Sequence, residues 1–316
     1  MSPALRFAPF LAAALLTAAA PAVAQGFGMS QGGGDQQLQV FADNGIEWHS
    51  EDLRVIATGN ARATRGTMTV DADKLTAYYR QTNGKGDEIW RLDADGKVTI
   101  RSPTDTATGT KAIYDLDKAV FVLKGAPARL VTATDQFQAT ESLEYWEGQK
   151  MAVLRGDAVA TRDTRTLKAD VITAHFKDKA AGPSAPRAAA PAKSGGSSTK
   201  SSGDSLDLQR ADAYGHVRLT TATETVTGDR GDYDAATEIA TVTGAVKIVR
   251  EGGNQLEGGW AYVNLKTGIS KLFPAPPGAG GTTPRVQGVF TPKKQDEQGR
   301  SGFSGRVPSN EDFGDR

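Results

Sequence analysis

Cysteine is absent from all 316 residues. A chain without it has no disulfide staples and no cysteine-based zinc site, so an extended β core must hold any folded domain together. Net charge is absent as well, because 37 lysines and arginines balance 37 aspartates and glutamates. That balance leaves no electrostatic footprint for a phosphate backbone, which excludes nucleic acid as an expected partner. Beyond residue 24, no apolar run reaches the length of a membrane helix. His49, His175 and His216 stand too far apart in sequence to form a metal motif.

The two ends and one internal stretch differ in composition from the rest. Residues 1–24 carry Arg6, an alanine-rich apolar segment and Ala22-Val-Ala24 before Gln25, the pattern of a secretory signal peptide cleaved after Ala24. Export outside the cytoplasm follows. Residues 25–37 read as a flexible Gly/Gln lead-in, residues 178–205 as a disordered Pro/Ala/Gly/Ser/Lys linker, and residues 274–316 as a disordered tail.

Between them one unit recurs. Apolar and polar residues alternate with period two between Gly, Asp and Thr, which is the pattern of half-buried antiparallel strands rather than helices. Gly59, Gly96, Gly125, Gly156, Gly215 and Gly244 each end one strand and open another, at spacings of 37, 29, 31, 59 and 29 residues. The underlying period is about 30 residues, and glycine in that position predicts a bend or bulge. Between the glycines, a small residue precedes an aromatic, as in Gly109 with Tyr114, Ala139 with Tyr145 and Gly228 with Tyr233. The expectation is an all-β protein of tandem repeats, residues 38–177 continued by 206–273.

No catalytic constellation emerges. Gly28-Met-Ser-Gln-Gly32 lacks the strand and helix of a nucleophile elbow, and Ser197-Ser-Thr-Lys200 lies in low-complexity sequence. The carboxylate pairs Asp71/Asp73, Asp93/Asp95, Asp115/Asp117 and Asp232/Asp234 read as solvated turn residues, since no calcium-loop pattern surrounds them. Neither a cofactor nor a metal is expected, and the chain reads as no enzyme. The repeat by itself leaves open an envelope β-repeat scaffold with a filled core, and a hydrolase or lyase on a parallel β-helix.

The set Gly59-Asn-Ala-Arg-Ala63 with Val70-Asp-Ala-Asp-Lys-Leu75, Gly96-Lys-Val-Thr-Ile100, Gly156-Asp-Ala-Val-Ala160 with Leu167-Lys-Ala-Asp-Val171, and Gly215-His-Val-Arg-Leu219 resembles the LptA/OstA family of lipopolysaccharide-transport proteins. The resemblance implies a twisted antiparallel β-jellyroll with an apolar groove that passes lipopolysaccharide across the periplasm. It implies as partners the lipid A acyl chains, the inner- and outer-membrane components of the transport machinery through edge-to-edge jellyroll contacts, and further copies of the chain head to tail. The candidate groove-lining residues are the apolar positions of the bent strands: Val98, Ile100, Ile113, Val120, Val122, Phe137, Leu143, Val153, Val171, Val217, Leu219, Val246 and Ile248.

Overall fold

A computed structural model of the chain describes residues 38–82, 86–178, 206–250, 252–278 and 285–290. The expected signal peptide and lead-in, residues 179–205 of the expected linker, and most of the tail lie outside them. The described residues form eighteen strands and one short 3-10 turn at Glu147–Gln149.

A broken ribbon comes first, β1 (Gln39–Phe41) and β2 (Ile46–His49), followed by the long strands β3 (Arg54–Arg65), β4 (Met68–Thr82), β5 (Gly86–Arg101) and β6 (Thr106–Asp115). Two broken ribbons occupy the middle, β7 (Val120–Lys124) with β8 (Ala128–Val131) and β9 (Asp135–Ala139) with β10 (Ser142–Trp146). Long strands resume with β11 (Met151–Arg162), β12 (Arg165–Asp178), β13 (Leu206–Thr220), β14 (Glu224–Asp234), β15 (Ile239–Arg250) and β16 (Gln255–Asn264). The last ribbon is broken into β17 (Ile269–Phe273) and β18 (Gln287–Val289). Two boundaries differ from the sequence reading. Asp178 still belongs to β12, where it accepts from Lys150, and the tail supplies β18, which pairs with β16 through Leu256 and Gly288.

Pairing is antiparallel throughout, and each ribbon pairs with the ribbons before and after it in sequence. β12 and β13 pair across the undescribed stretch, from Thr166 with Thr220 to Asp178 with Leu206, so one sheet continues from the first ribbon to the last. This is the jellyroll in physical terms: a single twisted meander whose ribbons all bend at about the same level.

The bend is written in the glycines. Gly96 has φ +78° and Lys97 φ +45°, and the register slips between Asp95 and Val98. A glycine in the left-handed region followed by one extra residue is a bulge that kinks the strand and sharpens its twist. The same pair of positive φ values recurs at Gly59–Asn60, Gly156–Asp157 and Gly215–His216. Each glycine also lies against a polar side chain of the neighbouring ribbon, Asp73 at Gly96 and Asp170 at Gly215 on strands, and Asn44 at Gly59 and Thr140 at Gly156 in the breaks between strands. That contact explains the recurrent Ala-Asp dipeptide: the alanine packs inward while the aspartate covers the kink. Gly125 is different, for it has no positive φ and falls where β7 and β8 separate.

Gly96→Ala should therefore cost about 1–2 kcal/mol, because an L-residue is held in the left-handed region and its Cβ meets Asp73. In a domain of this size that lowers the melting temperature by about 2–8 °C, measurable by circular dichroism. Gly148→Ala is the control, since nothing lies within 4 Å of its Cβ position and it should melt with the parent protein.

Bending each ribbon lays its two halves against each other as two leaves, with the core between them. One apolar row crosses the first leaf in register, through Leu75, Ala94, Ala112, Leu123, Leu143, Leu154, Ile172 and Ala213. A matching row crosses the second, through Val70, Ile100, Ala107, Leu130, Phe137, Ala160, Leu167 and Leu219. The remaining strand faces carry ion-pair ladders, such as Arg91 with Asp93 and Lys111 with Asp95.

Candidate functional site

The two leaves do not fill the space between them evenly. A cavity of about 250 Å³ lies where Leu143, Leu154, Ile172 and Phe176 of the first leaf face Leu130, Phe137, Leu167 and Leu219 of the second. A smaller one of about 100 Å³ lies nearer the first ribbon, between Val55, Leu75 and Leu92 on one side and Val40, Val70 and Ile100 on the other.

The larger cavity exists because of a run of small residues. Ala152, Ala174 and Ala211 are consecutive register partners on β11, β12 and β13, and Ala213 faces Gly231 one row away. Each strand alone carries an unremarkable alanine; stacked side by side they leave a gap that leucines would close.

Polar groups gather at one margin of this cavity. Arg162 donates to Asp135 from Nη2 at 2.7 Å, and that pair holds the guanidinium above its ordinary value. Arg165 donates to the Leu265 carbonyl oxygen at 3.1 Å, joining the second-leaf hairpin between β11 and β12 to the first-leaf turn after β16. Burial, ahead of Glu238, pushes the Tyr233 hydroxyl pKa up, so the phenol stays protonated. Glu144, Thr161, Asp232 and Thr241 also border the cavity, and the rest of its wall is aliphatic or aromatic, which suits a long apolar guest.

Of the sequence candidates, Val98, Ile100, Phe137, Leu143, Val217, Leu219, Val246 and Ile248 face inward. Phe137, Leu143, Val217 and Leu219 line the larger cavity and Ile100 the smaller, whereas Val98, Val246 and Ile248 sit in solidly packed core. Three candidates are placed on the other face. Ile113, Val122 and Val171 are half-buried, out of step with the inward Ala112, Leu123 and Ile172 beside them, and border neither cavity. Val120 is buried, but it shares the parity of Val122 and is the register partner of Trp146. Val153 borders the larger cavity although its register partners are Glu144 and Thr173, on the outward-facing parity.

Leu130, Leu154, Ile172 and Phe176 were missed as lining residues, together with the alanines between them. Their signal was the alternation itself, counted one residue later.

The carboxylate pairs are not solvated turn residues throughout. Asp93 lies on β5, is 5% exposed and is held by Arg91; Asp212, outside the four pairs, is likewise 5% exposed on β13 and is held by Arg210. Asp232 loses hydration and accepts only part of Arg210 while facing Asp212, so its carboxyl pKa is pushed up by burial first and by Asp212 second. Asp93 and Asp232 belong to charged ladders on the outward parity of their strands, although Asp93 also borders the smaller cavity and Asp232 the larger. Among the described residues no group of three or more His, Asp or Glu side chains is placed to hold a metal ion.

The family described as LptA/(LptD N-terminal domain) LPS transport protein matches twice in tandem, at residues 39–144 and 139–269. An uncharacterised protein of Rhizobium meliloti (strain 1021) is 32% identical over 123 residues, covering 37% of this chain and 63% of that protein. The chain thus spans under two thirds of that relative's length. The crystal structure of LptH, the LptA homologous periplasmic component of the lipopolysaccharide transport device of Pseudomonas aeruginosa, aligns with 19% identity and a TM-score of 0.37, covering 50% of this chain and 95% of LptH.

Proposed function

Since the chain belongs to the LptA/LptD N-terminal-domain family of lipopolysaccharide-transport proteins, we propose that it is a periplasmic carrier that shields lipopolysaccharide acyl chains between its two leaves. The observation that carries this reading is the larger cavity, an apolar gap of about 250 Å³ that closer packing would have filled. Burying an acyl chain there contributes about 0.8 kcal/mol per methylene, so affinity needs no chemical step.

The resting volume also limits what fits. A cavity of about 150 Å³ holds one benzene, so 250 Å³ accepts part of an acyl chain and not a whole lipid A. Loading therefore requires the leaves to part about the glycine bends.

Edge contacts complete the proposal. The first ribbon leaves Phe41, Ile46 and Trp48 exposed, and the last exposes Ile269, Phe273, Val289 and Phe290. Each of these ribbons has an outer edge without a strand partner among the described residues, which suits strand addition by membrane-bound transport components or by a second copy. Signal-peptide cleavage after Ala24 would place the protein between the two membranes that such a chain of jellyrolls spans.

A photo-crosslinking residue at Phe137 or Leu143 tests the reading. Adducts with lipopolysaccharide are expected at both, and none at Lys168, which is exposed on the opposite face. If no inward position of the larger cavity yields an adduct, the protein is a scaffold with an incompletely packed core.

A further inference from the structure

We propose that Leu123 is an internal gate that divides the apolar interior into two acyl compartments. In the first-leaf row, Leu123 stands between Ala112, which lines the smaller cavity, and Leu143, which lines the larger. In the second-leaf row Ala107 holds the equivalent place, between Ile100 and Leu130. Leu123 and Ala107 are each 1% exposed and line neither cavity. The partition is therefore one ladder step thick.

The side chain reaches toward the bend of its neighbouring strand. A Cβ at Gly109 would lie 2.8 Å from Leu123 Cδ1 and 3.1 Å from Cγ, so the absence of a side chain at Gly109 makes the seat into which Leu123 settles. Val98, the register partner of Gly109, is also 1% exposed and backs that seat. Leucine has staggered alternatives about χ1 and χ2. Swinging Leu123 out of the Gly109 seat joins the two cavities without moving a strand, because Ala107, at the equivalent place in the second leaf, carries only a methyl group. An acyl chain that outgrows the larger cavity meets this side chain first. The gate thus sets the length of chain held before the second compartment opens.

This inference rests on the carrier reading, and the test separates the two. Saturated fatty acids of increasing length are titrated against the full chain by displacement of an environment-sensitive acyl probe. Each methylene buried raises affinity about fourfold, the equivalent of about 0.8 kcal/mol, until the tail reaches the partition and affinity levels off. Leu123→Ala should move the plateau to longer chains and Leu123→Phe to shorter ones. Leu123→Val, which keeps most of the packing, should shift it in the alanine direction by less, and serves if the alanine variant does not fold. A plateau that stays at the same chain length in Leu123→Val and Leu123→Phe overturns the gate while leaving the carrier standing. Failure of every fatty acid to bind the unaltered protein overturns the carrier and the gate together.

Discussion

Ala174→Leu is expected to make the protein more stable and a worse carrier. Ala174 borders the larger cavity between its register partners Ala152 and Ala211, so the added isopropyl group enters empty space rather than occupied core. Three further carbons buried at about 0.8 kcal/mol each give an upper gain of about 2 kcal/mol, part of it lost to imperfect rotamers. The melting temperature should then rise by about 2–6 °C for a domain of this size. The same atoms occupy volume that an acyl chain would use, so lipid A capture should fall tenfold or more. Opposed movement of the two readouts is the signature of a site, because a substitution in ordinary core changes stability alone. A lower melting temperature would mean that no usable gap exists at Ala174.

Lysines at the edges should abolish self-assembly in a direction-dependent way. Phe41→Lys with Ile46→Lys charges the first ribbon, and Ile269→Lys with Val289→Lys charges the last; all four positions are more than half exposed. A charged edge disfavours strand addition, and loss of at least tenfold in association, about 1.4 kcal/mol, is expected for either pair. The proposed head-to-tail contact would join unlike surfaces and would not close on itself. The parent protein is expected to sediment as longer species at high concentration, and each variant alone as a monomer. Mixed together, the two should stop at dimers, one intact last ribbon meeting one intact first ribbon. Longer species in the mixture would show that copies meet elsewhere.

The fold was legible in the sequence because the kinks demand glycine and the strands demand alternation. Gly59, Gly96, Gly156, Gly215 and Gly244 all have positive φ and mark the register slips, whereas Gly125 shares their sequence context without their conformation. The candidate site was half legible, and the failures have two causes. On strands that face a bulge, inward residues straddle the bend three apart, as in Ala72 to Leu75, Gly109 to Ala112 and Ala169 to Ile172. Counting by twos through the bend therefore lands on Val171 instead of Ile172. At Val120-Phe-Val-Leu123 the run is apolar on both faces, so alternation is silent there and Phe121 and Leu123 are the inward pair. The gap itself could not be read at all. It depends on which alanines become neighbours across strands, and that is a property of register rather than of any one segment.

Neighbour-only pairing of the ribbons has a consequence for how such a chain acquires its shape. No strand has to wait for a partner from the far end, so loop closure between ribbons is short except across 179–205 and before β18. Stability in an array of this kind is close to a sum of local units and their interfaces. A polypeptide delivered amino end first, whether from a ribosome or through a narrow pore, can therefore zip up hairpin by hairpin as it emerges. Apart from the outer edge of the first ribbon, the growing edge is the exposed template at each moment, and it is covered as soon as the next segment arrives.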